Sequence, residues 1–348
     1  MTAVNKSPRL HTIELTDNGL YCPALEAYID PWKPVGRAII THAHSDHASM
    51  GHGLYFAHHD SVPILRHRLG DDIDVRGFDY GELLDLGGAA NDAPAVTLHS
   101  AGHVLGSSQV RIQSGEGVTV ITGDFKIEPD PSCAPFELVQ CDQLITEATF
   151  AMPIYRWPAI ESEIADIVSW WRHCAARGKT AVLCAYAFGK AQRILAELLR
   201  YAEAADEPLP AAEVLQHGAM ETLTELYRRA GIAMYPTAAA KDADVLAGQL
   251  VLAPPSASGS TSMKRFRKAE IGFCSGWMQV RGNRRRRGYD RGFIISDHAD
   301  WPQLMQLIDG SGASAVFPTH GNTDILIRYL RERGRACEPL ATAFSDEE

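Results

Sequence analysis

The first third of the chain reads as short apolar stretches cut by turn residues. This pattern predicts strands at His11–Leu15, Leu20–Cys22, Ala27–Ile29, Arg37–Thr41, Ala95–His99, Gln109–Gln113 and Val118–Thr122. The middle changes period. Ile160–Arg177 has helical amphipathic spacing, Thr180–Ala185 is a β run, and Lys190–Ala202 and Glu221–Ala230 are helical again. Leu250–Ala253 is a further strand that ends in the Pro/Ser/Gly-rich turn Pro254–Ser262. Beyond it come a strand at Gly292–Ile295, a helix at Trp301–Ile308, a strand at Ala315–Pro318 and a helix at Asp324–Arg333. The mixture predicts an α/β sandwich with a second α/β unit in the middle of the chain.

Composition narrows the class. Of 348 residues, 45% are hydrophobic and 22% charged, which suits a globular chain with a substantial core. The longest apolar run, Ala181–Phe188, is too short to cross a bilayer, and Met1–Arg9 lacks the apolar stretch of a signal peptide. Seven cysteines without a C-x-x-C pair point to a reducing compartment, so a cytoplasmic protein with no membrane partner is expected.

Charge is unevenly placed. The net value is −10, yet Thr261 to Gly292 holds ten Lys/Arg against Glu270 and Asp290. An acidic body therefore carries one concentrated basic patch. Histidine is uneven too, with six of fourteen between His42 and His59.

The sharpest chemical signal is Thr41-His42-Ala43-His44-Ser45-Asp46-His47, directly after the apolar strand. Three imidazoles and a carboxylate so close together are costly to bury unless a cation sits among them. A strand end entering a turn can aim His42 and His44 at one point and Asp46 and His47 at another, as a pair of divalent cations requires. His52, His58 and His59 are read as surface or supporting residues. Further candidates are His103 in Ala101–Ser107, Asp124 after the strand Val118–Ile121, and His320 after Ala315–Pro318. Asp30, closing Ala27–Ile29, is placed to hold a ligand histidine by its other nitrogen.

The order H-x-H-x-D-H, A-G-H-x-x-G-S, T-G-D and a late histidine resembles the metallo-β-lactamase fold. That resemblance implies an αββα sandwich in which His42, His44 and His103 hold one metal. Asp46, His47 and His320 hold a second, and Asp124 bridges the two. The same fold hosts small-molecule ester and lactone hydrolases as well as nucleases. Asp124 and His320 lie far enough apart for an inserted domain. Leu144–Phe150, with Glu147, and Ile295–Asp300, with His298, resemble motifs A and B of the β-CASP nucleases, and His320 matches motif C. Ala185–Arg193 resembles their strand-to-helix signature, with Lys190 where arginine is usual. The implied division is a discontinuous catalytic domain at 1–150 and 293–348 and a β-CASP-like cap domain at 151–292.

Phosphodiester cleavage needs a proton for the departing oxygen, which His298 can deliver if Glu147 holds its other nitrogen. Asp46 can also steer the nucleophile. Lys264 and Arg284, Arg285, Arg286 and Arg287 are candidates for backbone contacts, with Trp277 and Phe273 for stacking. Ser107, Ser256 and Ser258 are candidates for phosphate oxygens. The whole pattern is most similar to the bacterial ligase-associated exonucleases. It implies a DNA exonuclease acting on single strands, 5′ to 3′, in repair, with DNA ligase and helicase as functional partners. His320 keeps an RNA-processing enzyme open as the alternative. A nitrogen-rich ligand set favours zinc, and manganese also fits.

Overall fold

A computed structural model describes residues 9–86, 93–257, 269–280, 288–319, 321 and 323–342. Along the chain, the first elements are β1 (Glu14–Thr16), β2 (Gly19–Cys22), β3 (Ala27–Ile29), β4 (Arg37–Ile39), β5 (Leu54–His58), α1 (Ser61–Leu69) and β6 (Val75–Phe78). They are followed by β7 (Ala95–Ser100), β8 (Ser108–Ser114), β9 (Gly117–Ile121) and β10 (Gln143–Glu147). The central stretch holds α2 (Ile160–Ala176), β11 (Ala181–Cys184), α3 (Lys190–Ala204), β12 (Val214–Gln216), α4 (Gly218–Arg229), β13 (Thr237–Ala239), β14 (Leu250–Ala253), β15 (Glu270–Cys274) and β16 (Arg291–Phe293). The last part returns with α5 (Trp301–Gly310), β17 (Ala315–Thr319), α6 (Thr323–Glu332) and β18 (Ala336–Cys337).

The chain divides into two compact units. The first comprises Met1–Pro129, Cys133–Tyr155 and His298–Glu348, and the second Asp130–Ser132 and Arg156–Asp297. These units part at Tyr155 and Asp297. The reason is local packing: Tyr155 stays with the first unit, its ring against Phe150 and its carbonyl accepting from the Trp301 amide.

In the first unit two six-stranded sheets form, ordered β1-β2-β3-β4-β5-β6 and β18-β17-β10-β9-β8-β7. Ile29, Ile39 and Phe56 of one sheet share a core with Leu98, Val110, Ile121, Ile145 and Phe317 of the other, so the sheets face each other. Alternation does the rest. Val120, Leu144 and Val316 point to the opposite face and pack on Leu304, Leu307 and Ile308 of α5 and Leu326 and Leu330 of α6. Helix α1 packs on β5 and β6.

The position of the chemistry follows from strand direction. β9, β10 and β17 are parallel, with Ile145 paired to Ile121 and Glu147 to Thr319. β4 lies parallel between β3 and β5. Parallel strands deliver their C-terminal residues to one end of a sheet, where loops can assemble a site.

In the second unit six strands ordered β13-β12-β14-β11-β15-β16 are all parallel. β11 and β14 are buried along their whole length, which is why they read as continuous apolar runs rather than alternating ones. Helix α2 buries Ile160, Ile164, Ile167, Val168, Trp171 and Cys174, one face at helical spacing.

One ion cluster ties α2 to the sheet. Glu270, opening β15, accepts from Lys179 Nζ at 3.0 Å and Trp170 Nε1 at 3.3 Å, and pairs with an Arg177 guanidinium nitrogen at 2.7 Å. The Lys179 hydrogen bond, with Arg177 beside it, lowers its carboxyl pKa to about 2. A depressed carboxyl contributes stability above its unfolded value and loses it as pH falls through the folded one. Glu270→Gln is expected to cost ~1–2 kcal/mol at neutral pH. That deficit should shrink as pH falls from 4.5 toward about 2, where the native carboxylate also takes up its proton. Urea unfolding at pH 7 and pH 3 measures this, and an equal deficit at both would contradict it.

Candidate metal centre

After β4 the backbone passes Ile40 and Thr41 into a tight turn, in which the amides of His47 and Ala48 both donate to the His44 carbonyl. Three histidines and Asp46 are thereby wrapped around one turn. His42 and His47 are buried, His44 is half-buried, and the Asp46 side chain keeps 20% of its surface exposed.

Asp30 orients this turn. It adopts the left-handed backbone region, with φ of 43°. Its Oδ1 accepts from the Thr41 amide at 2.7 Å, and Oδ2 accepts from Thr41 Oγ1 at 2.6 Å and from His47 Nδ1 at 2.7 Å. Because the Thr41 hydroxyl donates to Asp30, its oxygen is left to accept from His42 Nδ1, 3.1 Å away. Both histidines thus carry the proton on Nδ1 and present Nε2 as a lone-pair donor.

His103 arrives on the turn before β8. Ser107 Oγ accepts from the amides of His103 and Val104, both at 3.1 Å. Gly102 is needed there: φ is +68°, and a Cβ would meet the Lys126 carbonyl at 2.3 Å. Asp124 leaves β9 through Gly123, at φ +56°, where a Cβ would meet the Thr41 side chain at 2.6 Å.

The donors converge. His44 Nδ1 lies 3.0 Å from His42 Nε2 and 3.1 Å from His103 Nε2. Asp124 Oδ2 lies 3.4 Å from His42 Nε2 and 3.8 Å from His103 Nε2. Tetrahedral zinc with bonds of ~2.0–2.1 Å separates its donors by about 3.3 Å, so this set has the right size. A second set shares Asp124: His47 Nε2 is 3.4 Å from Asp124 Oδ1 and 3.6 Å from Asp46 Oδ2. These clustered His and Asp residues can hold metal.

Electrostatics favour positive charge at the same place. Burial opposes a charge on His47, but Asp124 and Asp30 outweigh it and hold the imidazole pKa well above its ordinary value. Burial also pushes the Asp124 carboxyl up, yet His47 and His298 win and hold it well below the carboxylate range. His42, desolvated and repelled by His47, sits well below the usual histidine value, so its nitrogen stays available as a donor. The carboxylates of Asp124 and Asp46 both face His47 Nε2, so this side of the cluster favours positive charge.

Beside this cluster, Glu147 ends β10 and is buried. Its Oε1 accepts from the Phe125 amide at 2.8 Å, while Oε2 accepts from Thr149 Oγ1 at 2.6 Å and His298 Nδ1 at 2.8 Å. Asp124, Glu147 and His298 are close enough to form a third donor group. Three donors already occupy Glu147, however, so its arrangement suits holding His298 better than holding metal. The His298 ring lies 4.8 Å from that of His103.

The remaining expected residues distribute differently. Ser107 is buried, and its hydroxyl serves the turn that carries His103 instead of facing a phosphate. Phe273 is fully buried and stacked on Tyr289 at 4.7 Å, which removes it as a platform for a base. Trp277 is half-buried beside that core, and Ser256 is exposed. His320, Ser258, Lys264 and Arg284–Arg287 lie outside the described residues. His52 meets the Val35 amide and Ser49, and His58 stacks on Tyr80 at 3.8 Å. His59 is exposed beside Asp79 and Glu82.

Sequence reading did not find Thr41, Thr149 or Arg68. Arg68 of α1 donates to the Ala43 carbonyl inside the ligand turn. The two threonines lie within the motifs around His42 and Glu147 but carried no assigned role there; a lone helical arginine gives no signal.

No family model matches the chain. It is 30% identical over 318 residues to a protein named probable DNA ligase from Opitutus terrae, covering 91% of this chain and 30% of that protein. It is 31% identical over 206 residues to transcription termination factor FttA of Thermococcus kodakarensis, covering 49% of this chain and 31% of that one. Against endoribonuclease YSH1 of Mycosarcoma maydis it is 27% identical over 205 residues, covering 49% and 23%. The chain thus spans less than a third of the length of these curated relatives. Among the described residues, no helix is long and apolar enough to cross a membrane.

Asp30→Ala frees His47 to turn and leaves Thr41 without its acceptor. Removing such an orienting carboxylate should weaken metal binding about 10- to 100-fold. Competition against a chromophoric chelator reads this directly, and unchanged affinity would refute the orienting role.

Proposed function

We propose that this chain is a metal-dependent phosphodiesterase of the metallo-β-lactamase and β-CASP type that trims nucleic acid from an end. In its specific form, the reading is a DNA exonuclease acting on single strands, 5′ to 3′, in repair. The observation that carries it is the His298–Glu147 pair beside the histidine and aspartate cluster. Metal donors alone would serve many hydrolyses, whereas a positioned imidazole acid suits a poor alkoxide leaving group.

His42, His44, His103 and Asp124 would hold one ion. Asp46, His47 and Asp124 would hold the other, with His320 joining them by the family resemblance. Zinc suits the nitrogen-rich set and manganese the carboxylates. When bound, such ions supply charge neutralisation at the phosphate and activation of water.

The chain's own groups do the rest. Asp46, the most exposed carboxylate of the set, can accept a hydrogen bond from the incoming water and aim it. Glu147 accepts from the Phe125 amide and the Thr149 hydroxyl, which fix its carboxylate where it meets His298 Nδ1. His298 Nδ1 stays on Glu147 while Nε2 delivers its proton to the departing 3′ oxygen. The basic residues Lys264 and Arg284–Arg287 supply sequence-independent attraction to a polyanion backbone.

Similarity to a protein named for DNA ligation over 91% of the chain supports DNA and a functional link to ligase; the helicase link comes from the family resemblance alone. Similarity of half the chain to a protein named as an endoribonuclease favours RNA as the second reading.

The test uses DNA and RNA oligonucleotides of one sequence, labelled at either end, with zinc or manganese added. Loss of the 5′ label from single-stranded DNA as mononucleotides is expected. RNA cleavage alone would move the assignment to the second reading, and no cleavage of either would end it. Asp124→Ala should abolish turnover and reduce bound metal in elemental analysis. His298→Ala should keep the metal and lose roughly 100-fold or more in turnover. Full activity in His298→Ala would refute the acid role.

A further inference from the structure

Helix α3 begins with two buried cations. Lys190 is fully buried and Arg193 is 2% exposed. At three residues' spacing they share one face of the helix. Placing an ammonium and a guanidinium together away from water is costly, so their partners indicate what the arrangement serves.

Arg193 reaches two distant parts of the chain. Its Nη1 donates to the Ser296 carbonyl at 2.6 Å, and its Nε lies 3.3 Å from Asp130 Oδ2. Asp130 is held for that role, its Oδ1 accepting from the Ser132 amide at 2.8 Å and hydroxyl at 2.6 Å. Lys190 Nζ lies 3.8 Å from Asp297 Oδ2 and 4.9 Å from the Tyr186 ring centre. Asp297 is itself buried.

Those partners have a common property. Ser296 and Asp297 are the two residues before His298, and Asp130 ends the short loop that leaves Asp124. The two segments also bond to each other, the Ala299 amide donating to the Phe125 carbonyl at 2.7 Å.

We propose that Arg193, assisted by Lys190, is a positioning residue that sets the His298 segment in register with the loop leaving Asp124. Arg193 touches neither substrate nor reacting atoms. It fixes the backbone from which the acid projects, so that the imidazole meets Glu147 in one orientation. The guanidinium suits this because its rigid planar fork presents separate nitrogens to a carbonyl and a carboxylate in fixed directions, whereas an ammonium is a compact point charge with freely rotating donors. The inference rests on the phosphodiesterase reading for its catalytic consequence, though not for its geometry.

The experiment compares two substrates in the metal-loaded protein. A DNA oligonucleotide leaves an alkoxide that needs a proton, whereas bis(4-nitrophenyl) phosphate releases a nitrophenolate that departs without one. For Arg193→Met, kcat on the oligonucleotide should fall roughly 100-fold, the scale of general acid catalysis. KM, metal content and the rate on the nitrophenyl ester should stay within a few-fold. Arg193→Lys, which keeps the buried charge but loses the planar fork, should show a smaller loss of the same kind and covers the case in which the methionine variant fails to fold.

A second readout is independent of turnover. In protein labelled with nitrogen-15 histidine, the His298 Nδ1 proton resonance, assigned by its disappearance in His298→Gln, should shift or broaden in both Arg193 variants. Equal loss on both substrates, or no loss on either, would overturn the proposal, as would an unmoved His298 resonance. If the unaltered protein cleaves neither substrate, the phosphodiesterase reading fails, and the resonance alone decides whether the positioning role stands.

Discussion

Asp124 is a buried carboxylate surrounded by imidazoles, and much of the first unit exists to make that arrangement tolerable. A lone carboxylate there would take up a proton. Histidines on several sides keep it charged, and it in turn draws positive charge onto His47. The donors that meet this mutual demand are spaced so that they can hold metal. The parallel strands β9 and β10 and the β4 exit bring the groups together, while Gly123 lets Thr41 approach closely; its hydroxyl donates to Asp30, which holds His47, and meets His42 Nδ1.

Much of this site was legible because its ligands come in local bursts that no ordinary core or surface needs. Three histidines and an aspartate in one turn, and an aspartate at the end of an apolar run, announce themselves. The supporting residues were less visible for a physical reason. Thr41 and Thr149 act through hydroxyls that threonine carries in any context, and only the geometry shows what each one binds. Arg193 and Asp130 are a contact between residues far apart in sequence, which no window of residues contains.

The fold shows the same divide. β3 and β14 fall where the pattern set them, and α2 differs by one residue at its end. β5, β6 and α1 were not recognised. Leu54–His58 is apolar without alternation and lies amid histidines, so it looks like part of a loop. α1 carries Pro63 and several charges and lacks a clear apolar stripe. The boundary at Tyr155 has a similar origin, since an aromatic ring packed on Phe150 leaves no periodic trace. Phe273 misled in the opposite direction: an aromatic beside a basic run suggests stacking on a base, but burial in a parallel strand claims it first.

The proposed acid and the candidate metal donors would impose different requirements. A metal ligand tolerates small rotations, because the cation itself draws the donors inward. A proton donor has no such attraction to guide it, and a misaligned imidazole protonates nothing however suitable its pKa. Glu147 answers half of this need by fixing the ring, with its own carboxylate held by the Phe125 amide and the Thr149 hydroxyl. The backbone that carries the ring needs a separate anchor, because His298 follows a segment that belongs to the second unit up to Asp297. Arg193 donates to the Ser296 carbonyl and Lys190 faces Asp297, so the proposed anchor acts on the two residues before the ring, with the desolvation of both cations offset by these partners. On the proposed reading, His298 is the residue that directly follows the segment held by α3.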